Sequence, residues 1–206
     1  MNDNQLVIIA YSGHSFVCIE NALLNGYTFL GYCDNEEKNI NPFCLNYLGV
    51  EDAFFGLNKS CKRFIGIGSN AVRKIVYSKF EKDNYVNLIH PSAILANSVV
   101  LENNSNLLIN AGVIVNSLAK IGAGVILNTA CIVEHECQIG DFVHIAPGAV
   151  LAGNVEVGNN TFVGANAVIK QGVKIGSDVT IGAGSVILND IPNGKTVVGN
   201  PGKILK

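Results

Sequence analysis

Tryptophan is absent from this chain of 206 residues, methionine occurs once, and charged residues make up only 15%. Soluble chains usually carry about a quarter. The net charge is −2, so there is no basic footprint for nucleic acid or for an anionic membrane surface. No apolar run approaches the roughly 20 residues that a spanning helix needs. The start, Met1-Asn2-Asp3-Asn4-Gln5, lacks the basic opening of a secretory signal. The six cysteines, at 18, 33, 44, 61, 131 and 137, form no C-x-x-C and no metal-ligand spacing. They read as reduced and structural, which favours the cytoplasm. G-x-G-x-x-G is also missing, so a dinucleotide cofactor is not indicated.

What the chain has in abundance is a period of six. Ile121, Leu127, Val133, Ile139, Ile145, Leu151, Val157, Val163, Ile169, Ile175, Ile181 and Ile187 are all branched aliphatics at six-residue spacing. The phase extends back to Val115 and Ile109 and fails at Asn103. Four residues on from each aliphatic runs a row of small or β-branched residues, among them Cys131, Cys137, Ala149 and Thr161. Glycine often follows the aliphatic directly, as in Ile139-Gly140 and Ile175-Gly176. Six fits neither a helix at 3.6 nor a plain strand at two. It fits short parallel strands turning corners, with Gly or Asn accepting the corner conformation, stacked into a β-helix. Three hexapeptides make a coil of about 18 residues. The low charge implies that some outer face is covered, most simply by another copy of the chain.

The first 90 residues read differently. Gln5–Ala10 is a buried strand, Tyr11-Ser12-Gly13-His14-Ser15 a turn, and Phe16–Asn25 a helix stopped by Gly26. Thr28–Cys33 is a second strand ending at Asp34-Asn35, and Glu36–Pro42 is loop. Lys62–Gly68 is a third strand, Ser69-Asn70 cap a helix to about Lys82, and Tyr85–His90 is a fourth strand. This alternation describes a small doubly wound, Rossmann-like α/β unit. The expected division is an α/β domain over 1–90 and a β-helix over 91–206, whose first coil starts irregularly and whose C-terminal tail leaves the solenoid.

Chemistry has two candidate seats. The Ser12-Gly13-His14 turn presents backbone N–H groups at a helix N-terminus, which suits phosphate. Asp34, at the end of the second strand, is placed to accept from a ribose or base. The second seat is Glu134-His135-Glu136, with His144 nine residues on, in a chain holding only four histidines. A neighbouring carboxylate orients a histidine for general-base work. A solvent-facing polar spot is the generic reading of such a run, but titratable residues clustered on an otherwise uncharged solenoid argue against it. Zinc lacks a third ligand at a suitable spacing.

These residues carry a likeness. Tyr11-Ser-Gly-His14, Asp34, Gly66-Ile-Gly68, Asn87-Leu-Ile-His-Pro-Ser-Ala93, Ile126-Leu-Asn-Thr129, Val133-Glu-His-Glu-Cys137 and Val198-Gly-Asn-Pro-Gly-Lys203 span both halves. With them the whole chain resembles the hexapeptide-repeat acetyltransferases of the sialic acid O-acetyltransferase-like family, which includes bacillosamine-pathway and other nucleotide-aminosugar N-acetyltransferases. The resemblance implies a left-handed parallel β-helix, a homotrimer, acetyl-CoA as co-substrate without a metal, and an N-terminal domain that holds the sugar nucleotide. By the same likeness His135 is the general base and Glu136 the group that raises its basicity. His144 touches the thioester end of acetyl-CoA, and Ala165 and Ala183 lie along its pantetheine. Ser12, Gly13, His14, Asp34, Asn35 and Gly68 fall on the nucleotide-sugar side. The family's G-x-S-G-H-G pattern is broken by Ala10 and Ser15, and Asn35 stands where a second acid is common.

The expected reaction is N-acetylation of a nucleotide-linked amino sugar, a 4-amino-4,6-dideoxyhexose, by direct attack on the thioester. Two alternatives stay open on sequence: O-acetylation of sialic acid or a related sugar, and a zinc lyase of the carbonic anhydrase type on the same solenoid.

Overall fold

The computed structural model describes residues 4–205, so the reading of the first three residues lies outside it. Three parallel strands, β1 (Gln5–Ile9), β2 (Thr28–Cys33) and β3 (Lys62–Ile65), form a sheet in the order β2-β1-β3. Helices α1 (Gly13–Leu24), α2 (Glu51–Leu57) and α3 (Asn70–Tyr77) connect and cover it. The central strand is buried on both sides, as its unbroken apolar run requires. Leu6 and Ile8 pack with Cys18, Ile19 and Ala22 of α1, while Val7 and Ile9 pack with Phe55 of α2 and Val76 of α3.

Beyond this unit the chain winds into a left-handed parallel β-helix of two-residue rungs in three sheets. We number its faces in chain order. Face one holds Leu108–Ile109, Ile126–Leu127, His144–Ile145, Phe162–Val163 and Thr180–Ile181. Face two holds Ile94–Leu95, Ile114–Val115, Ile132–Val133, Val150–Leu151, Val168–Ile169 and Val186–Ile187. Face three holds Val100–Leu101, Lys120–Ile121, Gln138–Ile139, Glu156–Val157 and Lys174–Ile175. Ile126 pairs with His144, a coil of 18 residues as the hexapeptide period requires. The twelve aliphatics are all buried, as is the row of small residues beside them. Each aliphatic contributes roughly 1.5–3 kcal/mol by leaving water, and stacking makes the column one continuous core.

The corners divide the labour differently from the sequence reading. Positive φ falls three residues after the aliphatic, at Leu118, Ala130, Glu136, Phe142, Asn154 and Asn160 among others. The glycine directly after the aliphatic serves close approach instead: a Cβ on Gly140 would lie 2.9 Å from the backbone nitrogen of Asn159 in the next coil.

Two local expectations are corrected. Tyr85–His90 does not run as one fourth strand of the α/β sheet: Tyr85 makes a single parallel bridge to Arg63 of β3, with Val86 N–H donating to Arg63 O at 3.2 Å. Leu88–Ile89 pairs instead with Leu108–Ile109 as the first rung of face one. That pairing skips 20 residues rather than 18, because the Asn103 region inserts two, and this is why the period fails there. The insertion is used: Asn106 Oδ1 accepts the Ile65 N–H at 2.6 Å, tying the end of β3 to the solenoid. The C-terminal stretch does not leave the solenoid either. Thr196–Val198 pairs with face one, and Lys203–Ile204 folds back antiparallel on it.

The α/β unit lies on face one. Leu108 and Ile126, outward on that face, join the cluster of Leu6 and Ile8, while the corner residues Ala123 and Phe142 join that of Val7 and Ile9. One apolar outer face is thus covered within the chain. Among the described residues no helix is long and apolar enough to cross a membrane, and the six cysteines are free, with Cys44 alone exposed.

Candidate active site

His135 and Glu136 sit at the corner between faces two and three, held by inward Val133 before them and Cys137 after. Successive residues on a strand point to opposite faces, so neighbours meet only if the chain bends. It does: Glu136 has φ +61°. Its Oε2 then lies 3.0 Å from His135 Nδ1. A carboxylate can only accept, so Nδ1 donates to Glu136, and Nε2 is the ring nitrogen left to face a substrate. The two side chains are 50% and 56% exposed, enough to meet a substrate. Gly153, one coil on, underlies the ring: a Cβ there would fall 2.5 Å from His135 Cε1 and Nε2. Asn154 N–H donates to His135 O at 2.8 Å and Glu136 N–H to Ser117 O at 2.9 Å, so the corner is fixed from both neighbouring coils.

His144 is elsewhere. It points outward from face one, between Ile126 and Phe162, and is 9% exposed beneath the α/β unit. Its ring stands edge-on to Phe162, centroids 5.2 Å apart, and 6.2 Å from the His14 ring. Thr129 N–H, an unambiguous donor, reaches Asn128 Oδ1 at 2.8 Å and thereby fixes that amide. Asn128 Nδ2 therefore faces His144 Nε2, at 3.2 Å, and donates to it. The ring proton is left on Nδ1, which points to Gly68 O at 3.4 Å. Both His14 and His144 are pushed down to about 4, chiefly by burial and then by the nearby Arg73 charge. They are neutral rings at pH 7.

The Ser12-Gly13 turn opens on a cavity of about 480 Å³, lined also by Tyr11, Phe16 and residues 36–40. Ser15 Oγ bridges Ser12 N–H and Ser12 O, both at 2.7 Å, which shapes the first turn of α1. Asp34 supports this turn from behind. Its Oδ2 accepts the Tyr11 N–H at 2.9 Å, and its Oδ1 accepts the Asn35 N–H at 2.7 Å and pairs with Lys38 Nζ at 3.3 Å. The departures from the family pattern have local consequences. Ala10 takes φ +71°, a conformation that glycine adopts freely. Ser15 leaves no room opposite it, since a Cβ on Gly66 would lie 2.6 Å from Ser15 Cβ.

Ala165 and Ala183 stack one coil apart on the edge between faces one and two, where Ala165 O accepts the Gly184 N–H at 2.8 Å. The structure thus gathers Ser12 and Gly13 with the 36–40 loop, and His14 with Gly68 and His144. It leaves His135–Glu136 on a separate corner of the chain. Sequence reasoning did not single out Arg73 or Gly153 and met Asn128 only within the Ile126–Thr129 motif, without a role; their importance lies in packing and hydrogen bonds. Among the described residues no group of three or more His, Cys, Asp or Glu is placed to hold a metal ion.

A small α/β unit set on a β-helix of hexapeptide coils is the architecture of hexapeptide-repeat acyltransferases. Residues 154–189 match the bacterial transferase hexapeptide (six repeats) family, and residues 5–80 match the PglD N-terminal domain. A mutant of perosamine N-acetyltransferase from Caulobacter crescentus, in complex with CoA and GDP-perosamine, is 32% identical, with 99% of this chain and 98% of that one covered and a TM-score of 0.92. The acetyltransferase domain of PglB from Neisseria gonorrhoeae, in complex with acetyl coenzyme A, is 32% identical over 99% of this chain and 100% of that one, TM-score 0.88. WeeI from Acinetobacter baumannii is 26% identical over 97% and 99%, TM-score 0.83. The chain belongs to the sialic acid O-acetyltransferase-like, bacillosamine-pathway-type family of hexapeptide-repeat acyltransferases.

Proposed function

We propose that this protein is an acetyl-CoA-dependent N-acetyltransferase acting on a nucleotide-linked 4-amino-4,6-dideoxyhexose. The observation that carries the reading is the His135–Glu136 pair, with Nδ1 occupied and Nε2 free. Relatives of the same length and fold bind CoA together with GDP-perosamine. The amine lone pair attacks the thioester carbonyl carbon, His135 Nε2 takes the amine proton, and the C–S bond breaks to release coenzyme A. Glu136 orients the ring and stabilises the imidazolium that forms. No acyl-enzyme is needed. Cys137, the nearest thiol, is buried, and burial pushes it up and away from the nucleophilic thiolate.

Residues 1–90 hold the nucleotide in this reading and the solenoid holds acetyl-CoA. Ser12 and Gly13 offer the start of α1 to the diphosphate, and Asp34 and Asn35 shape that turn. His14, Gly68 and His144 line the way to the acetyl end, and Ala165 and Ala183 follow the pantetheine. The working assembly is a homotrimer. Face two presents Ile94, Ile114, Ile132, Val150, Val168 and Val186 outward in one column, with Ile94 65% and Val168 40% exposed. Face three carries Lys120, Gln138, Glu156 and Lys174 instead. An uninterrupted aliphatic column is a surface to be covered, and the two candidate edges flank it. Packing face two against a neighbouring copy brings the His135 corner of one chain to the Ala165–Ala183 edge of the next, and cyclic closure gives three shared sites.

The test is a panel of TDP-, UDP- and GDP-linked 4-amino-4,6-dideoxyhexoses, each incubated with the protein and acetyl-CoA while thiol release is followed. Release with one of these sugars, and none with free sialic acid, is expected. Release with sialic acid alone would replace the reading by O-acetylation.

A further inference from the structure

The left-handed corners of the solenoid fall mostly to glycine, asparagine or aspartate, which accept positive φ at least cost. Four corner residues lie outside that set: Leu118, Ala130, Glu136 and Phe142. Ala130 is small. Phe142 is buried and packs edge-on against Tyr77 of α3, centroids 5.3 Å apart. Glu136 reaches His135. Leu118, at φ +65°, is 57% exposed. A bulky side chain in this conformation is an outlier, and here no burial within the chain offsets its strain.

Its place in the solenoid gives this leucine a use. Val115 pairs with Val133 and Lys120 with Gln138, so Leu118 and Glu136 hold the same corner position one coil apart, about 4.8 Å along the axis. The two corners are tied together where Ser117 O accepts the Glu136 N–H at 2.9 Å, and Leu118 N–H is itself fixed by Ser98 Oγ at 3.0 Å. Leu118 therefore adjoins the His135–Glu136 pair from the earlier coil. Ala165 and Ala183, assigned above to the pantetheine, lie in later coils. His135 stands between them along the axis, which leaves the earlier-coil side to the acceptor. We propose that Leu118 is a specificity-determining residue for the acceptor sugar, the apolar wall against which its 6-methyl group packs. This rests on the N-acetyltransfer reading. In a 4-amino-4,6-dideoxyhexose the methyl is three bonds from the amine nitrogen, so an amine held at His135 Nε2 brings the methyl within van der Waals reach of the neighbouring coil. The C3 hydroxyl, on the other side of the amine, is polar and gains nothing against leucine. A 6-hydroxy sugar would press a hydroxyl on the same wall, where it loses water and finds no partner. Strained conformations persist where a site requires one side chain at one place.

The test compares kcat/KM for a nucleotide-linked 4-amino-4,6-dideoxyhexose with that for its 6-hydroxy counterpart, in wild type, Leu118→Asn and Leu118→Met. Thermal midpoint and solution mass are measured alongside. The wild type should prefer the 6-deoxy sugar. Leu118→Asn should lose about tenfold of that preference, the scale on which one methyl contact discriminates, through a higher KM for the 6-deoxy sugar. Its thermal midpoint should stand at or above that of the wild type, because asparagine takes positive φ more readily. Leu118→Met keeps an apolar wall and should keep the preference. An unchanged ratio in Leu118→Asn overturns the proposal. If that unchanged ratio comes with a lower thermal midpoint or a smaller solution mass, a neighbouring copy covers Leu118 instead. Should Leu118→Asn fail to fold, Leu118→Gly carries the same comparison. A wild type that acetylates neither sugar overturns the N-acetyltransfer reading and this proposal together, whereas normal wild-type transfer with an unmoved ratio overturns this proposal alone.

Discussion

His135 and His144 are nine residues apart in sequence and stand on opposite sides of the solenoid. His135 occupies the corner between faces two and three, and His144 projects from face one, which lies across the prism from that corner. Two side chains so placed on one chain do not converge on one acetyl group. Mixing His135→Ala and His144→Ala chains, denaturing and refolding them together, is therefore expected to restore activity absent from either alone, because some interfaces pair two intact residues. A site within one subunit predicts no recovery. Donor is kept subsaturating so that a binding defect in His144→Ala is visible.

The His135 ring lies on Gly153, with no room for a methyl group. Gly153→Ala should push the ring off its position while the solenoid core, built from other residues, stays intact. Displacing a base by about 1 Å costs on the order of a hundredfold in rate. The expected outcome is that drop in kcat, with acetyl-CoA affinity and thermal midpoint little changed. An unaltered kcat would show that the ring position observed is not the working one.

Asp34 accepts the Tyr11 N–H at the mouth of the Ser12-Gly13 turn. Asp34→Ala leaves that donor without its partner, at a cost of roughly 1–3 kcal/mol, and lets the turn move. KM for the sugar nucleotide should rise about tenfold or more while the Kd for acetyl-CoA, measured by calorimetry, holds. An effect on acetyl-CoA alone would contradict the assignment of the nucleotide to the first 90 residues.

His14 and His144 titrate at about 4 in the folded chain, against 6.5 when unfolded. Between these values the unfolded chain binds more protons, so stability rises with pH over that window. It is fully present above about 6.5 and is lost as the pH drops toward 4, by at most about 3 kcal/mol per ring. Urea unfolding at pH 7.5 and pH 5 should show the loss, and the double variant His14→Asn, His144→Asn should flatten it. A profile just as steep in the double variant would place the acid sensitivity elsewhere.

How much of this was legible in the sequence follows from what each feature depends on. The solenoid was, because a twelve-fold aliphatic column reports its own geometry. The join was misread because Leu88–Ile89 looks like any apolar strand, and only its partner Leu108–Ile109, 20 residues on, assigns it to face one. The His135–Glu136 pair was visible as residues, yet its contact depends on a positive φ at Glu136, which no side-chain pattern announces. Arg73 was invisible for the opposite reason: it meets only backbone carbonyls and one amide, and those leave no signature in residue type.

The most direct test is the pre-steady-state rate of acetyl transfer from acetyl-CoA to the accepted nucleotide amino sugar, wild type against His135→Ala. Loss of a general base lowers turnover by about two to four orders of magnitude, while both substrates, engaged elsewhere, bind with Kd values near those of the wild type. That split is the result expected here. Near-normal acetyl transfer by His135→Ala at neutral pH would contradict the account at its centre.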